Sequence, residues 1–216
     1  MIFCDFDGTI TERDNIADLV KHFKPEGWEP IFQDIMEFKI SIREGVGALF
    51  ALFPSSQKRE LQDYVVNNAG IRQGFPELLE YCRKEHIEFF VTSGGIDFFL
   101  YPILAPYDIP KDHIFCNHSS FEGANIEILW PHPCDLYCNK DCGMCKTTVI
   151  RSMSAQNILS IVIGDSITDF EAAKLADVVF ATKHLKTRCQ ELGRPYIPFE
   201  TFHDVISHLQ KEVITR

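Results

Sequence analysis

Two aspartates, Asp5 and Asp7 of Cys4-Asp5-Phe6-Asp7-Gly8-Thr9, follow directly on the short apolar run that begins at Ile2. On an extended chain a spacing of two puts both carboxylates on one side, and Gly8 permits a sharp turn straight afterwards. Carboxylates this close repel unless a shared proton or a cation relieves them. A hard divalent ion such as Mg2+ answers that need, because it takes a few carboxylates and completes its shell with water and phosphate oxygens. A second group is Val91-Thr92-Ser93-Gly94-Gly95, where a hydroxyl and backbone N–H groups in a glycine-rich turn could cradle phosphate oxygens. Turns of that composition are common, so alone it decides nothing. Third, Lys146 stands at the start of the apolar helical stretch Thr147 to Met153, against the macrodipole preference; it is either a solvated surface lysine or has another use. Fourth, the apolar run Ile158 to Ile163 passes straight into Gly164-Asp165-Ser166-Ile167-Thr168-Asp169. Asp165 can complete a metal site, and Asp169 can cap a helix or hold a metal-bound water.

These groups need a scaffold, and the pattern supplies one. Ile2 to Phe6, Ile87 to Thr92, Ile158 to Ile163 and Val178 to Ala181 read as buried parallel strands, with Ile114 to Cys116 and Ile126 to Trp130 as a strand and a hairpin arm. Helical patterns cover Asn15 to Phe23, Trp28 to Lys39, Arg43 to Leu52, Gln57 to Asn67 and Pro76 to His86. Helix between the first two strands exceeds a normal crossover, so residues 14–71 read as an inserted helical cap, and 1–13 with 72–216 as the catalytic core. The fold expected is α/β, a doubly wound and mainly parallel sheet. In such sheets ligands bind beyond the carboxyl ends of the strands, where three of the four groups fall.

Composition narrows the function. The 216 residues carry a net charge of −10 with no offsetting basic patch, which argues against nucleic acid and anionic membrane as partners. No apolar run approaches the roughly 20 residues that span a bilayer, and the amino terminus lacks the features of a signal peptide, so a cytoplasmic location is expected. The basic run Lys183, His184, Lys186 and Arg188 reads as a solvated helix face, and the eight histidines show no mutual metal-ligand spacing.

The four groups taken in order resemble the haloacid-dehalogenase-like phosphatases, over nearly the whole chain. What the resemblance implies is specific. Asp5 would be the nucleophile and become an aspartyl phosphate, while Asp7 would protonate the leaving oxygen and then activate water. Mg2+ would be held by Asp5, the carbonyl of Asp7 and Asp165, with Asp169 orienting the ligands; Ser93, Gly94 and Lys146 would take the phosphate. Asp7 sets the chain apart from the dehalogenase branch, which lacks an acid there. The cap is similar to that of the phosphoserine-phosphatase-like branch, and the length, the segment Phe38 to Val46 and the cysteine-rich segment Cys134 to Lys146 look closest to methionine-salvage phosphatases acting on a methylthio enol phosphate. A phosphoserine or phosphoethanolamine/phosphocholine phosphatase is the alternative within the family. Asp14 falls where phosphoserine phosphatases carry an acid, yet their cap arginine would fall near Gly45, with Arg43 only nearby. A non-catalytic phosphate-binding or zinc-stabilised interaction module is the alternative outside it. The substrate class expected is a small phosphorylated metabolite; oligomeric state is not legible.

Eight cysteines in a cytosolic chain read as thiols or metal ligands before disulfides. Cys4, Cys82, Cys116 and Cys189 lie in apolar surroundings and read as core residues. Cys134, Cys138, Cys142 and Cys145 stay open between four ligands of a structural Zn2+, reduced thiols and a redox pair.

Overall fold

The computed structural model describes residues 1–153 and 158–214. Seven strands form one sheet: β1 (Ile2–Cys4), β2 (Phe89–Ile96), β3 (Ile114–Ser120), β4 (Glu127–Leu129), β5 (Ile161–Gly164), β6 (Val178–Ala181) and β7 (Ile197–Pro198). Their order is β4-β3-β2-β1-β5-β6-β7, parallel except for β4, which returns antiparallel on β3 as a hairpin arm.

Side-chain alternation along β1 shows why both faces are apolar. Ile2 and Cys4 join a core built with α5 (Phe75–Lys84), α6 (Asp97–Leu104) and α10 (Phe202–Ile214). Phe3 points the other way, into a second core with α7 (Lys146–Met153), α8 (Asp169–Leu175) and α9 (Lys183–Glu191). Helices therefore cover both faces, and the sheet is doubly wound.

Four helices lie in sequence between β1 and α5: α1 (Asn15–Phe23), α2 (Trp28–Met36), α3 (Ile42–Phe50) and α4 (Lys58–Asn68). Asp14 caps α1 by accepting from the Ala17 N–H, and Ser41 and Glu44 form a capping box at the start of α3. The segment enters and leaves side by side. Thr11 pairs with Ile71, and the Glu12 N–H donates to the Gly70 carbonyl at 3.0 Å. Leu19, Val46, Phe50, Leu61 and Val65 join the same apolar cluster as Ile2 and Cys4, so the insertion is seated on the sheet side that holds α6. Trp28, Ile31, Phe32 and Ile35 pack against that cluster, whereas Met36 and Phe38 are exposed.

Strand limits differ from the sequence pattern in an instructive way. β1 stops at Cys4 and β5 starts only at Ile161, because each of Ile2, Phe3 and Cys4 pairs with one of Ile161, Val162 and Ile163, and Ile158 and Leu159 overrun that register into solvent. β2 in turn continues through Ser93 to Ile96, with a break in its register on β3 between Thr92 and Ile96. Among the described residues no helix is long and apolar enough to cross a membrane.

Candidate active site

β1, β2 and β5 are adjacent, so the segments leaving their carboxyl ends converge. Asp5 follows β1 and is 5% exposed; its Oδ1 lies 2.7 Å from Lys146 Nζ. The same ammonium bonds Asp169 Oδ1, so one buried lysine bridges two buried carboxylates. Burial alone would push the Lys146 ammonium down, but Asp169 and Asp5 outweigh it and hold it above the ordinary lysine value. Asp5 goes up, first through burial and then through the charge of Asp169, with Lys146 opposing. The lysine expected to be either surface or functional is 8% exposed and sits at the centre of the site.

Asp7 faces another direction. Its Oδ1 accepts from the side chain and backbone N–H of Asn15 at 2.7 and 3.2 Å, and its Oδ2 accepts from the Ser93 hydroxyl at 3.3 Å. Burial and then the charge of Asp14 push this carboxyl up to about 7, against the bonds from Asn15 and Ser93. A carboxyl poised near neutrality can both give and take a proton. Ser93 is fully buried and also accepts the Gly95 N–H at 2.8 Å, so its hydroxyl is engaged inside the site. Gly95 is dictated by closeness: a Cβ there would stand 2.5 Å from Asp7 Oδ2. The Gly94 carbonyl is fixed by the Asn117 amide at 2.7 Å.

Asp165 follows β5. Its Oδ1 accepts from the Thr9 hydroxyl at 3.2 Å and its Oδ2 lies 3.2 Å from Lys183 Nζ. Burial, then Asp169, raise its pKa. Asp169 Oδ2 gathers the Asp165 and Ser166 N–H groups and the Ser166 hydroxyl, so both Asp169 oxygens are occupied by the protein. Gly8 has φ +80°, and a Cβ on it would meet Asp165 Oδ2 at 2.3 Å. Only glycine satisfies that turn and that approach together.

Three residues at the site escaped the sequence reading. Lys183 belongs to the run read as a solvated helix face, yet its ammonium donates to the Gly8 and Glu12 carbonyls as well as touching Asp165. Arg72 spreads its guanidinium over the carbonyls of Thr9, Gly8 and Glu200 at 2.7, 2.7 and 2.9 Å, pinning the turn that carries Asp7. Asn15 holds Asp7. The available signals were weak ones: a lysine just after β6, an arginine just after Ile71, and an asparagine beside a helix cap.

One ligand atom from each of Asp5, Asp165 and Asp169 falls within 4.8 Å of the others. An all-oxygen set of crowded acids, two of them pushed toward protonation by burial and mutual repulsion, fits a hard divalent cation. A second group lies at the start of α7, where Cys134, Cys138, Cys142 and Cys145 bring their sulfurs within 4.8 Å of one another, an arrangement that could bind a metal. The other four cysteines are buried thiols, as expected.

The family model described as haloacid dehalogenase-like hydrolase matches residues 2–174. A 2-hydroxy-3-keto-5-methylthiopentenyl-1-phosphate phosphatase of Brevibacillus brevis is 53% identical over 211 residues, covering 98% of this chain and 95% of its own. Among solved structures, a phosphoserine phosphohydrolase-like protein of Francisella tularensis superposes with a TM-score of 0.70 at 18% identity, covering 95% of this chain and 97% of its own. A phospho-aspartyl intermediate analogue of phosphoserine phosphatase gives 0.67 at 15% identity, over 96% of this chain and 97% of its own.

Proposed function

Because this chain belongs to the haloacid dehalogenase-like hydrolase family and is a phosphatase, we propose that it hydrolyses a small phosphomonoester by way of an aspartyl phosphate on Asp5. The observation that carries the mechanism is the buried Asp5 carboxylate, fixed 2.7 Å from Lys146 Nζ, with the near-neutral Asp7 two residues on. Asp5 attacks phosphorus through a carboxylate oxygen; the bond to the leaving oxygen breaks, and Asp7 gives that oxygen its proton. Asp7, now a carboxylate, takes a proton from a water whose oxygen attacks the same phosphorus. The phosphorus–Asp5 bond breaks and inorganic phosphate departs, leaving both aspartates as they began. Lys146 offsets charge on the phosphoryl group and on Asp5, and Ser93 with the Gly94 N–H receives phosphate oxygens. Asp5, Asp165 and the Asp7 carbonyl would hold Mg2+, which supplies positive charge to the phosphoryl oxygens when bound. Asp169, with both oxygens occupied, orients Lys146 and the Asp165 turn. Residues 14–71 act as the cap over a core made of 1–13 and 72–216, hinged where Thr11 pairs with Ile71. Cytoplasmic location follows from the same reading.

For the substrate we take 2-hydroxy-3-keto-5-methylthiopentenyl-1-phosphate of methionine salvage, on the strength of the relatives so named. Two features of the chain agree. Phe38, 70% exposed, lines a depression with Ile167, His184 and Arg188, and Ile167 lies two residues past Asp165, which would suit an apolar tail. Arg43, the one candidate near the cap position that reads an amino-acid carboxylate, is instead engaged by Asp141 at 3.5 Å and the Trp130 ring at 5.7 Å. A hydrolysis screen with Mg2+ over this enol phosphate, phosphoserine, phosphoethanolamine and phosphocholine tests the assignment. A preference of about tenfold or more for phosphoserine, some 1.4 kcal/mol at the transition state, would sink the substrate and leave the mechanism standing.

A further inference from the structure

The segment from Cys134 to Cys145 has no core of its own. Leu136 is fully exposed and Tyr137 83% exposed, and within the segment only Met144 and Cys145, at its end, are buried apolar residues. Apolar burial therefore does not explain why its four thiols meet. They meet nevertheless, all four sulfurs within 4.8 Å of one another, and Cys138 and Cys142 sulfurs stand 3.9 Å apart. That separation excludes a disulfide, whose sulfurs lie about 2.05 Å apart. It matches tetrahedral coordination: Zn–S bonds of about 2.3 Å put the sulfurs on edges of about 3.8 Å. The Cys142 N–H points at Cys134 Sγ at 3.4 Å, a donor of the kind that stabilises a metal-bound thiolate.

The surroundings suit a negatively charged knot. Cys145 immediately precedes α7 and its carbonyl accepts the Val149 N–H, so the sulfurs gather at the positive end of that helix. Arg151, further along α7, lies in the field of Cys145 and Cys138 and is clamped to Asp135 at 2.8 and 2.5 Å. The segment also reaches the cap. Asp141, in a left-handed conformation at φ +50°, accepts from the Ser41 hydroxyl at 2.7 Å, and its carbonyl takes the Arg43 N–H at 3.3 Å.

We propose that Cys134, Cys138, Cys142 and Cys145 bind one structural Zn2+, and that this knot fixes the start of α7, with Lys146, to the amino end of cap helix α3. The site is separate from the acidic one, so a finding of no zinc would overturn this proposal and leave the proposed hydrolysis standing. Binding displaces the thiol protons to solvent, with no change in oxidation state.

Metal analysis of the full chain, purified under reducing conditions without added metal, tests this directly. About one zinc per chain is expected, released in step with four thiols when a mercurial reagent titrates them. Cys138→Ser and Cys142→Ser should each retain roughly tenfold less zinc, whereas Cys82→Ser should keep it. Removing the metal should speed hydrogen exchange at residues 134–150 and at 41–44 with the acidic site loaded with Mg2+. Wild-type protein alone suffices to overturn the idea. Below about a tenth of a zinc per chain, with no uptake from an equimolar zinc solution, the site does not exist. Iron in place of zinc, or a disulfide among these four cysteines in the reduced preparation, overturns it equally.

Discussion

Replacing Asp5 with asparagine should remove turnover without weakening the fold, and the arithmetic of the site says why. The Asp5, Asp165 and Asp169 ligand oxygens lie within 4.8 Å of one another, and Lys146 Nζ lies 2.7 Å from Asp5. At an effective dielectric of about 20, each carboxylate repulsion is at least about 3.5 kcal/mol and the lysine attraction about 6 kcal/mol. Two repulsions against one attraction leave the Asp5 charge unfavourable by about 1 kcal/mol before its burial is counted. Lys146 also keeps Asp169 as a partner in the variant, so no charge is stranded. Breaking an ordinary buried ion pair costs about 3–5 kcal/mol; here, without metal, Asp5→Asn should leave Tm unchanged or raise it by roughly 2–8 °C. Mg2+ should stabilise the wild type more than the variant. The assays are thermal unfolding in EDTA and in Mg2+ at pH 8, and hydrolysis of p-nitrophenyl phosphate, which should fall by about 10^4-fold or more. A Tm lowered by roughly 6 °C or more in EDTA would refute the electrostatic argument. Turnover within about tenfold of wild type would refute the nucleophile.

Arg72→Lys cannot reproduce three directed bonds to carbonyls, and should cost about 2–3 kcal/mol, read as a Tm loss of roughly 5–10 °C; a loss under about 1 °C would show that the clamp is redundant. Asp7 has a folded pKa raised to about 7, so the native state binds a proton that the unfolded chain releases. Its stabilising contribution is therefore complete below the unfolded carboxyl value and lost as pH rises through about 7. In EDTA the Tm of the wild type should thus fall relative to that of Asp7→Asn between about pH 4 and 7, the interval between the unfolded value of 3.8 and the folded value of about 7, and parallel curves would contradict the assignment. The carboxyls held low, Glu37, Asp135, Asp177 and Asp204, act with the opposite sign and only at more acid pH. Phe38→Ala should raise KM for the methylthio enol phosphate about fivefold, the worth of an apolar contact of about 1 kcal/mol, and leave glycerol phosphate unaffected; equal effects on both would remove Phe38 from tail recognition.

Much of this was legible because each chemical group announces itself locally. An apolar run that passes into Asp5 or into Gly164-Asp165 marks a strand end, Ser93-Gly94 falls where β2 loses its register on β3, and in a doubly wound sheet these strand ends share one edge. Residues some 160 positions apart become neighbours because β1 lies between β2 and β5. Periodicity failed where burial is uniform. Phe98, Phe99, Leu100, Ile103 and Leu104 are all buried and Pro102 lies among them, so α6 shows no polar face by which to be recognised.

Lys183 marks a different limit. Its neighbours in the chain resemble those of Lys186, and only its place just after β6 tells the two apart. The difference is made by β6, which delivers the first residue of α9 beside the turn at Gly8, and by a left-handed backbone at φ +43° that starts the helix there. Three acids in one pocket need more positive charge than Lys146 alone, and where a folded chain meets such a need depends on its topology. The acids and Lys146 can thus be read from motifs, whereas the second cation, Lys183, has to be found in three dimensions.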